Sequence, residues 1–457
     1  MKPFRSVVAG LALVCGLAAA GANAAVLDCT EVSGDCLMRA AEASAAALSR
    51  PRQRDEAYFA IAAAHADMGR LDQALESIAQ IEDAMTRAEA LGEVAGGAAR
   101  LGDFAAAQEI ALGIVDARNR SARVMALEAL AVEQAAVGEI DAAFDTVIAI
   151  DNPFRRSEAQ AAIAISAARA GDIPAAIRAA SRIATDYWFS SDQNQIKIAS
   201  GLVSRSGEFD HFWFYEALAN IAAIQARNGE IIGALQTAKS IPDLAGRSRA
   251  TGRVAIVQAE TGDLAGALDT ASRIELAYGD LDAMVAIADN MAAAGDIEGA
   301  LDLSRDIAAA YGDVSALVAV AVQQARRGAF EAGLGIADGI DNVEGRTRAF
   351  AGIAREFARD DRLDEAMAAV ASIPDARDRA ITIEQISTLL AATGAADRAL
   401  EVAATYAQPR DHDDLVVAIA LAEAEAGDID GAVATALSLE DGMFRAIALA
   451  GIARRVD

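Results

Sequence analysis

A glycine recurs in this chain every 33 residues, at Gly229, Gly262, Gly295 and Gly328 and again at Gly394 and Gly427, with Asp361 in the slot between. A fixed period of that length marks stacked supersecondary units, each burying its apolar face only against its neighbours. The register runs backward through Gly207, Gly171, Gly138, Gly102 and Gly69, which makes twelve slots. Two steps are 36 residues, Gly102 to Gly138 and Gly171 to Gly207, and one, Gly207 to Gly229, is only 22.

Offsets from the slot define the unit. Seven residues before it stand small side chains such as Ala62, Ala95, Ala131, Ala255, Ala288 and Ala354, and five after it Ala74, Ala107, Ala234, Ala267, Ala366 and Ala432. Small residues at both points let two antiparallel helices approach closely, and Ile61, Val94, Ile221, Ile287, Ile353 and Ile419 supply the apolar stripe beside them. Glycine in the slot suits the left-handed position that ends a first helix. The acid that follows it in eight slots (Asp103, Glu139, Asp172, Glu208, Glu230, Asp263, Asp296, Asp428) caps or charges the start of a second. The chain is 54% hydrophobic yet only 5% aromatic, with 7 prolines, a composition of packed helices rather than sheet.

The run Gly-Asp-Ile-Glu-Gly-Ala-Leu at 295–301, echoed at 262–268 and 427–433, resembles the central turn of tetratricopeptide repeats, as does the small residue seven before the glycine. The resemblance covers the chain from about Asp55 onward. It implies an all-α, right-handed α-solenoid of about twelve hairpins with an irregular repeat near 187–215. It also implies a groove lined by the first helices at positions ten and six before the slot, where Ile256, Val285, Val318 and Arg355 stand. The step of 33, the absent first-helix tryptophan and the usually missing closing proline make the array a divergent one.

The ends read differently. Lys2 and Arg5, the apolar run from Val7 to Ala20 and Ala22-Asn23-Ala24 form a secretory signal peptide over 1–24, cleaved after Ala24. No later segment is free of charge for long enough to span a bilayer, which places the mature protein in the periplasm or outside the cell. Cys29 and Cys36 are then the remaining thiols and are expected to form a disulfide. They would pin an N-terminal cap over 25–54, with a helix from about Asp35 to Ser49. Repeats over 55–186 and 216–443 flank the irregular one, and 444–457 is a lone C-terminal capping helix.

Two features bear on function. Fourteen and eighteen residues after the slot, an Asp or Asn travels with an Arg: Asp83 and Arg87, Asp116 and Arg120, Asn152 and Arg156, Asp243 and Arg247, Asn342 and Arg346, Asp375 and Arg379, Asp441 and Arg445. The ladder serves either to cap and tie each hairpin or to bind an anion. The second feature is aromatic: Tyr187, Trp188, Phe189, Phe209, His211, Phe212, Trp213, Phe214 and Tyr215 crowd the short step, where the superhelix is expected to bend or open. They either fill the gap left by a lost helix or recognise a peptide or sugar ring. No catalytic motif, metal site or cofactor site is expected, because the three histidines are scattered and no phosphate loop or nucleophile motif occurs. A net charge of -27 disfavours nucleic acid and anionic membrane surfaces. The expected role is non-enzymatic binding of an envelope protein or peptide in the groove, or of cell-wall glycan at the aromatic stretch.

Overall fold

The computed structural model describes residues 33–114, 120–189, 212–274, 281–406 and 412–456, and among these there is no strand. Even-numbered helices are the first of each pair. In chain order they are α2 (Pro51–Asp67), α4 (Ala84–Arg100), α6 (Arg120–Ala136) and α8 (Pro153–Arg169). Then come α10 (Phe212–Arg227), α12 (Leu244–Glu260), α14 (Leu281–Ala294) and α16 (Ser315–Arg326). The last are α18 (Val343–Arg359), α20 (Ala376–Ala392), α22 (His412–Glu425) and α24 (Gly442–Val456). Odd-numbered helices are the second: α1 (Gly34–Ala46), α3 (Leu71–Ile78), α5 (Phe104–Gly113), α7 (Ile140–Ile148), α9 (Ile173–Phe189) and α11 (Ile231–Lys239). They continue with α13 (Leu264–Ala271), α15 (Ile297–Tyr311), α17 (Phe330–Asp338), α19 (Leu363–Ala371), α21 (Ala396–Tyr406) and α23 (Ile429–Ser438).

The turn between the helices of a pair follows from the slot. Ten of its glycines have positive φ, from Gly69 at 73° to Gly295 at 100°, and Asp361 adopts the same conformation at 64°. Gly207 lies outside the described residues. The residue after the slot separates aspartate from glutamate. Asp103, Asp172, Asp263, Asp296 and Asp428 each accept the backbone N–H three residues on, at 2.8 to 3.1 Å. Glu139 and Glu230 make no such bond; their side chains are one methylene longer, and they contribute charge near the helix start instead.

Pairs stack through small residues. Ala62, Ala95, Ala131, Ala255 and Ala354 are all fully buried, as are the neighbouring Ile61, Val94, Val254 and Ile353. At Gly97 the helices come so close that a Cβ would lie 2.9 Å from the Ala66 Cβ. Twelve residues after the slot an isoleucine anchors most crossings to the next pair: Ile81, Ile150, Ile241, Ile340 and Ile373 are all buried to 1% exposure or less, and Leu439 takes the same place after Gly427. Full burial of such a side chain is worth about 1.5–3 kcal/mol.

The stack has no free end. Each first helix packs on the first helix before and after it, from α2 through to α24, and α24 packs in turn on α2. The same helix lies along α1, so the first and last helices of the described residues form a pair of their own. One apolar cluster unites them: Leu37, Met38 and Ala41 of α1, Ile61 of α2, and Leu449, Ile452 and Ala453 of α24. Asp35 pairs with Arg70 at 2.5 Å, Arg454 with Asp67 at 2.9 Å, and Gln53 donates to Asp441 at 3.2 Å. In a closed cycle the helices that touch their neighbours occupy the smaller circumference, so the first helices form the inner layer and the second helices the outer.

Closure corrects the expected caps. Residues 444–457 are not a lone helix, and α1 is not a lid on an open end, because each covers the apolar face that the other would expose. The N-terminal helix starts at Gly34, where the Ser33 hydroxyl accepts from the Cys36 N–H at 3.3 Å, and it ends at Ala46 rather than Ser49. Residues 190–211, most of the stretch where a bend was expected, lie outside the described residues; the first helices on either side of them are in contact. There α10 packs on α8 as other first helices do, and one core cluster runs from Ala88 to Val257. Phe212 therefore opens a first helix instead of occupying a second-helix contact.

Candidate functional site

The inner wall is the extended surface that this architecture offers. The groove positions singled out by the resemblance lie at its joints. Ile256, Val285 and Val318 are half-buried, and the Arg355 Nη1 donates to Gln385 Oε1 of the next first helix at 2.6 Å. The side chains turned furthest from the second helices stand thirteen and two residues before the slot. They include Met125, 60% exposed, and Ile381, 41% exposed. These two were missed because ten and six were taken as the exposed offsets; helical periodicity itself puts thirteen, six and two on one face.

Charges on the inner wall are largely paired between neighbouring helices: Arg100 with Asp67 at 2.6 Å, Arg249 with Glu216 at 3.2 Å, Arg227 with Glu260 at 3.5 Å. Glu356 is buried between Arg326 and Arg359. Exposed pairs of this kind contribute roughly 0–1 kcal/mol each, so their value lies mainly in register. Glu128 of α6 has its carboxyl pushed above the ordinary range, first by burial and then by Glu158 of α8, against the pull of Arg155.

The arginine ladder is turned inward on the backbone. Asp83, Asn152, Asp243, Asn342 and Asp375 cap first helices through side-chain oxygens. Four residues on, the guanidinium reaches back to the carbonyl of the isoleucine anchor: Arg156 to Ile150 at 2.9 Å, Arg247 to Ile241 at 2.9 Å, Arg379 to Ile373 at 2.6 Å. Arg87 and Arg346 bond Ile81 and Ile340 at 3.3 Å, and Arg445 bonds Leu439 with two nitrogens. Asp116 lies outside the described residues, and Arg120 opens α6. Each of the six arginines Arg87, Arg156, Arg247, Arg346, Arg379 and Arg445 thus ties the end of one pair to the start of the next. Arg379→Met should cost about 1 kcal/mol in thermal or denaturant unfolding; an unchanged midpoint would remove this tie.

A second internal tie was not anticipated. Four residues before the slot, Gln134, Gln225 and Gln258 accept from Thr146, Thr237 and Thr270 across the hairpin at 2.6 to 2.7 Å. Gln258 also donates to Asp263 at 2.9 Å. The signal was present, since a polar residue four before the slot recurs with a hydroxyl eight after it.

In the aromatic stretch, Phe212 to Tyr215 form the first turn of α10 and are half-buried. Trp213 stands edge-on to Phe154 of α8 at 5.5 Å and to Phe212 at 5.0 Å, while the Arg249 guanidinium lies over Phe212 at 5.5 Å. Tyr215 packs where Gly246 lacks a side chain; a Cβ there would come within 3.1 Å of the Tyr215 Cβ. Tyr187, Trp188 and Phe189 end α9, and Phe209 and His211 lie outside the described residues. His65 is buried with its Nε2 3.1 Å from Glu42, and His412 sits 3.2 Å from Asp413. Cys36 is buried in α1, and its expected partner Cys29 lies outside the described residues. No group of metal-ligating side chains occurs among the described residues, and no helix there is long and apolar enough to cross a membrane.

The fold and its surfaces define a class: an all-α protein of repeated helical hairpins. No family model matches the chain, and no curated protein matches it. Among solved structures, it is similar to Ton1535 from Thermococcus onnurineus NA1, at 18% identity over 70% of this chain and 96% of that one, with a TM-score of 0.24. It is also similar to a circular tandem repeat protein with novel repeat topology, at 12% identity over 93% and 97%, with a TM-score of 0.17.

Proposed function

We propose that the chain is an exported, non-enzymatic scaffold that binds a protein or peptide of the cell envelope on the inner wall of a ring. The ring is built from twelve tetratricopeptide-like hairpins with the right-handed stacking of that family, the twelfth being α24 with α1. On this reading residues 1–24 are a leader removed after Ala24, the mature protein is periplasmic or secreted, and Cys29 and Cys36 are bonded. The observation that carries the reading is the uninterrupted cycle of first helices, which turns a groove into an annulus. Twelve inner helices at about 8–10 Å spacing, each about 5–6 Å in half-thickness, leave an opening roughly 20–28 Å across. One or two partner helices fit that width.

Of the two expected sites, the aromatic stretch is the weaker, since Trp213, Phe214 and Tyr215 commit much of their surface to neighbours in the core. The test compares equally apolar changes on the two walls. Met125→Glu and Ile381→Glu should abolish capture of an envelope partner, whereas Ile232→Glu on outer helix α11, at a side chain 76% exposed, should leave it intact. Equal loss from both walls, or none from the inner one, would exclude the annulus as the binding surface.

A further inference from the structure

The inner wall is not uniform. Between the N-terminal halves of α2 and α4 lies a cleft of about 860 Å³ lined by Phe59, Met85, Arg52, Glu56, Glu82 and Glu89. Its size falls in the range of small-ligand and side-chain pockets, about 300–1,000 Å³. Two properties mark it. Met85 leaves 62% of its surface in solvent at a position where a polar side chain would cost nothing. Phe59 is the one aromatic at ten residues before the slot, where the other repeats carry Gly, Ala, Val, Glu or Lys. An aromatic and an exposed, flexible thioether side by side form an adaptable apolar floor.

The rim chooses the ligand's charge. Asp55 is spent, both its oxygens accepting from the Glu82 and Asp83 N–H groups at 2.9 Å, and Asp83 caps α4 through Thr86. Three carboxylates remain on the rim. Glu89 is exposed and has no partner among the described residues, Glu56 shares a solvent-facing pair with Arg52 at 3.1 Å, and Glu82 pairs with Arg54. Arg52 is the sole cation of the lining, and its side chain is 92% exposed.

We propose that this cleft binds a basic amphipathic segment of a partner polypeptide, with an apolar side chain on Phe59 and Met85 and neighbouring lysines or arginines on Glu56, Glu82 and Glu89. The proposal rests on the inner-wall reading and places the partner's anchor on it. Apolar burial holds the segment and the carboxylates select it, so affinity falls as salt rises. An acidic segment is rejected by the same rim and by the overall charge.

The experiment titrates the full mature chain into two short fluorescein-labelled helical peptides, one of leucine and lysine and the other of leucine and glutamate, and reads anisotropy. The lysine peptide should bind and the glutamate peptide should not. Met85→Ala and Glu89→Lys should each weaken binding by about tenfold, and both sites are exposed enough for the variants to fold. Equal binding of both peptides, no binding of the lysine peptide, or binding indifferent to both substitutions would overturn the proposal. If the peptides fail while Met125→Glu and Ile381→Glu still abolish partner capture, the cleft is wrong and the annulus survives. If the peptide results hold while those two variants have no effect, the cleft stands and the wider annulus reading falls.

Discussion

Leu37→Asp should open the ring. Leu37 has no exposed surface and packs against the last helix of the chain, so an aspartate there must bury an unpaired charge or release α1. Burying it would cost more than about 4 kcal/mol, so detachment wins. Small-angle scattering should then report a larger radius of gyration, and hydrogen exchange should accelerate in α1 and α24 while α16 to α18 keep their protection. Leu37→Ala, which leaves a cavity but no charge, should cost about 3 kcal/mol at the same seam without opening it fully. Uniform loss of protection around the whole chain would mean that the seam has no independence. An unchanged radius with α1 still protected would mean that α24 does not depend on α1 for its cover.

The opposite sign is expected for Glu423→Gln. Glu423 stands four before its slot, where three other repeats carry the glutamine that accepts from a threonine, and Thr435 occupies the threonine position. Its carboxyl is pushed above the ordinary value of 4.5, first by burial and further by Asp428 and Asp397, with the Thr435 hydroxyl opposing. One of its oxygens, Oε2, is buried without a partner. A carboxylate whose pKa rises on folding stabilises the fold as the neutral acid. That contribution is complete below the unfolded value and disappears as pH climbs through the folded one. The glutamine needs no proton, and its amide can donate to Asp428 as Gln258 donates to Asp263. The variant should therefore match the parent near pH 4 and exceed it at pH 7, by about 1 kcal/mol for the one hydrogen bond gained. Paired melts across that range decide the matter; a gap that is constant with pH, or negative, would refute it.

Local chemistry made most of the architecture readable before the structure. The slot demanded positive φ, and glycine or aspartate in that place announced where each hairpin turns. The Asp/Asn–Arg pairs announced the joints, although whether they served the backbone or a ligand required the carbonyl positions. What stayed hidden was long-range. Nothing in the spacing of α1 or α24 says that they meet, because a period describes neighbours in sequence. The aromatic stretch misled for a related reason. Counting forward from Gly207 placed Phe212 in a second helix, whereas counting back from Gly229 places it at the head of α10, where a bulky ring has room.

Closure also changes what growth by duplication can do to such a chain. An open array accepts another unit at little cost, because the newcomer only lengthens it. Here α1 and α24 must meet, so an added or lost unit shifts the curvature demanded of every joint at once. The number of units is therefore a boundary condition, set by whether α24 arrives where α1 is waiting. Rearrangements that keep the number but move the break, linking α24 to α1 and cutting another turn, leave every joint as it was. The place of the break is thus a freer variable than the number of units.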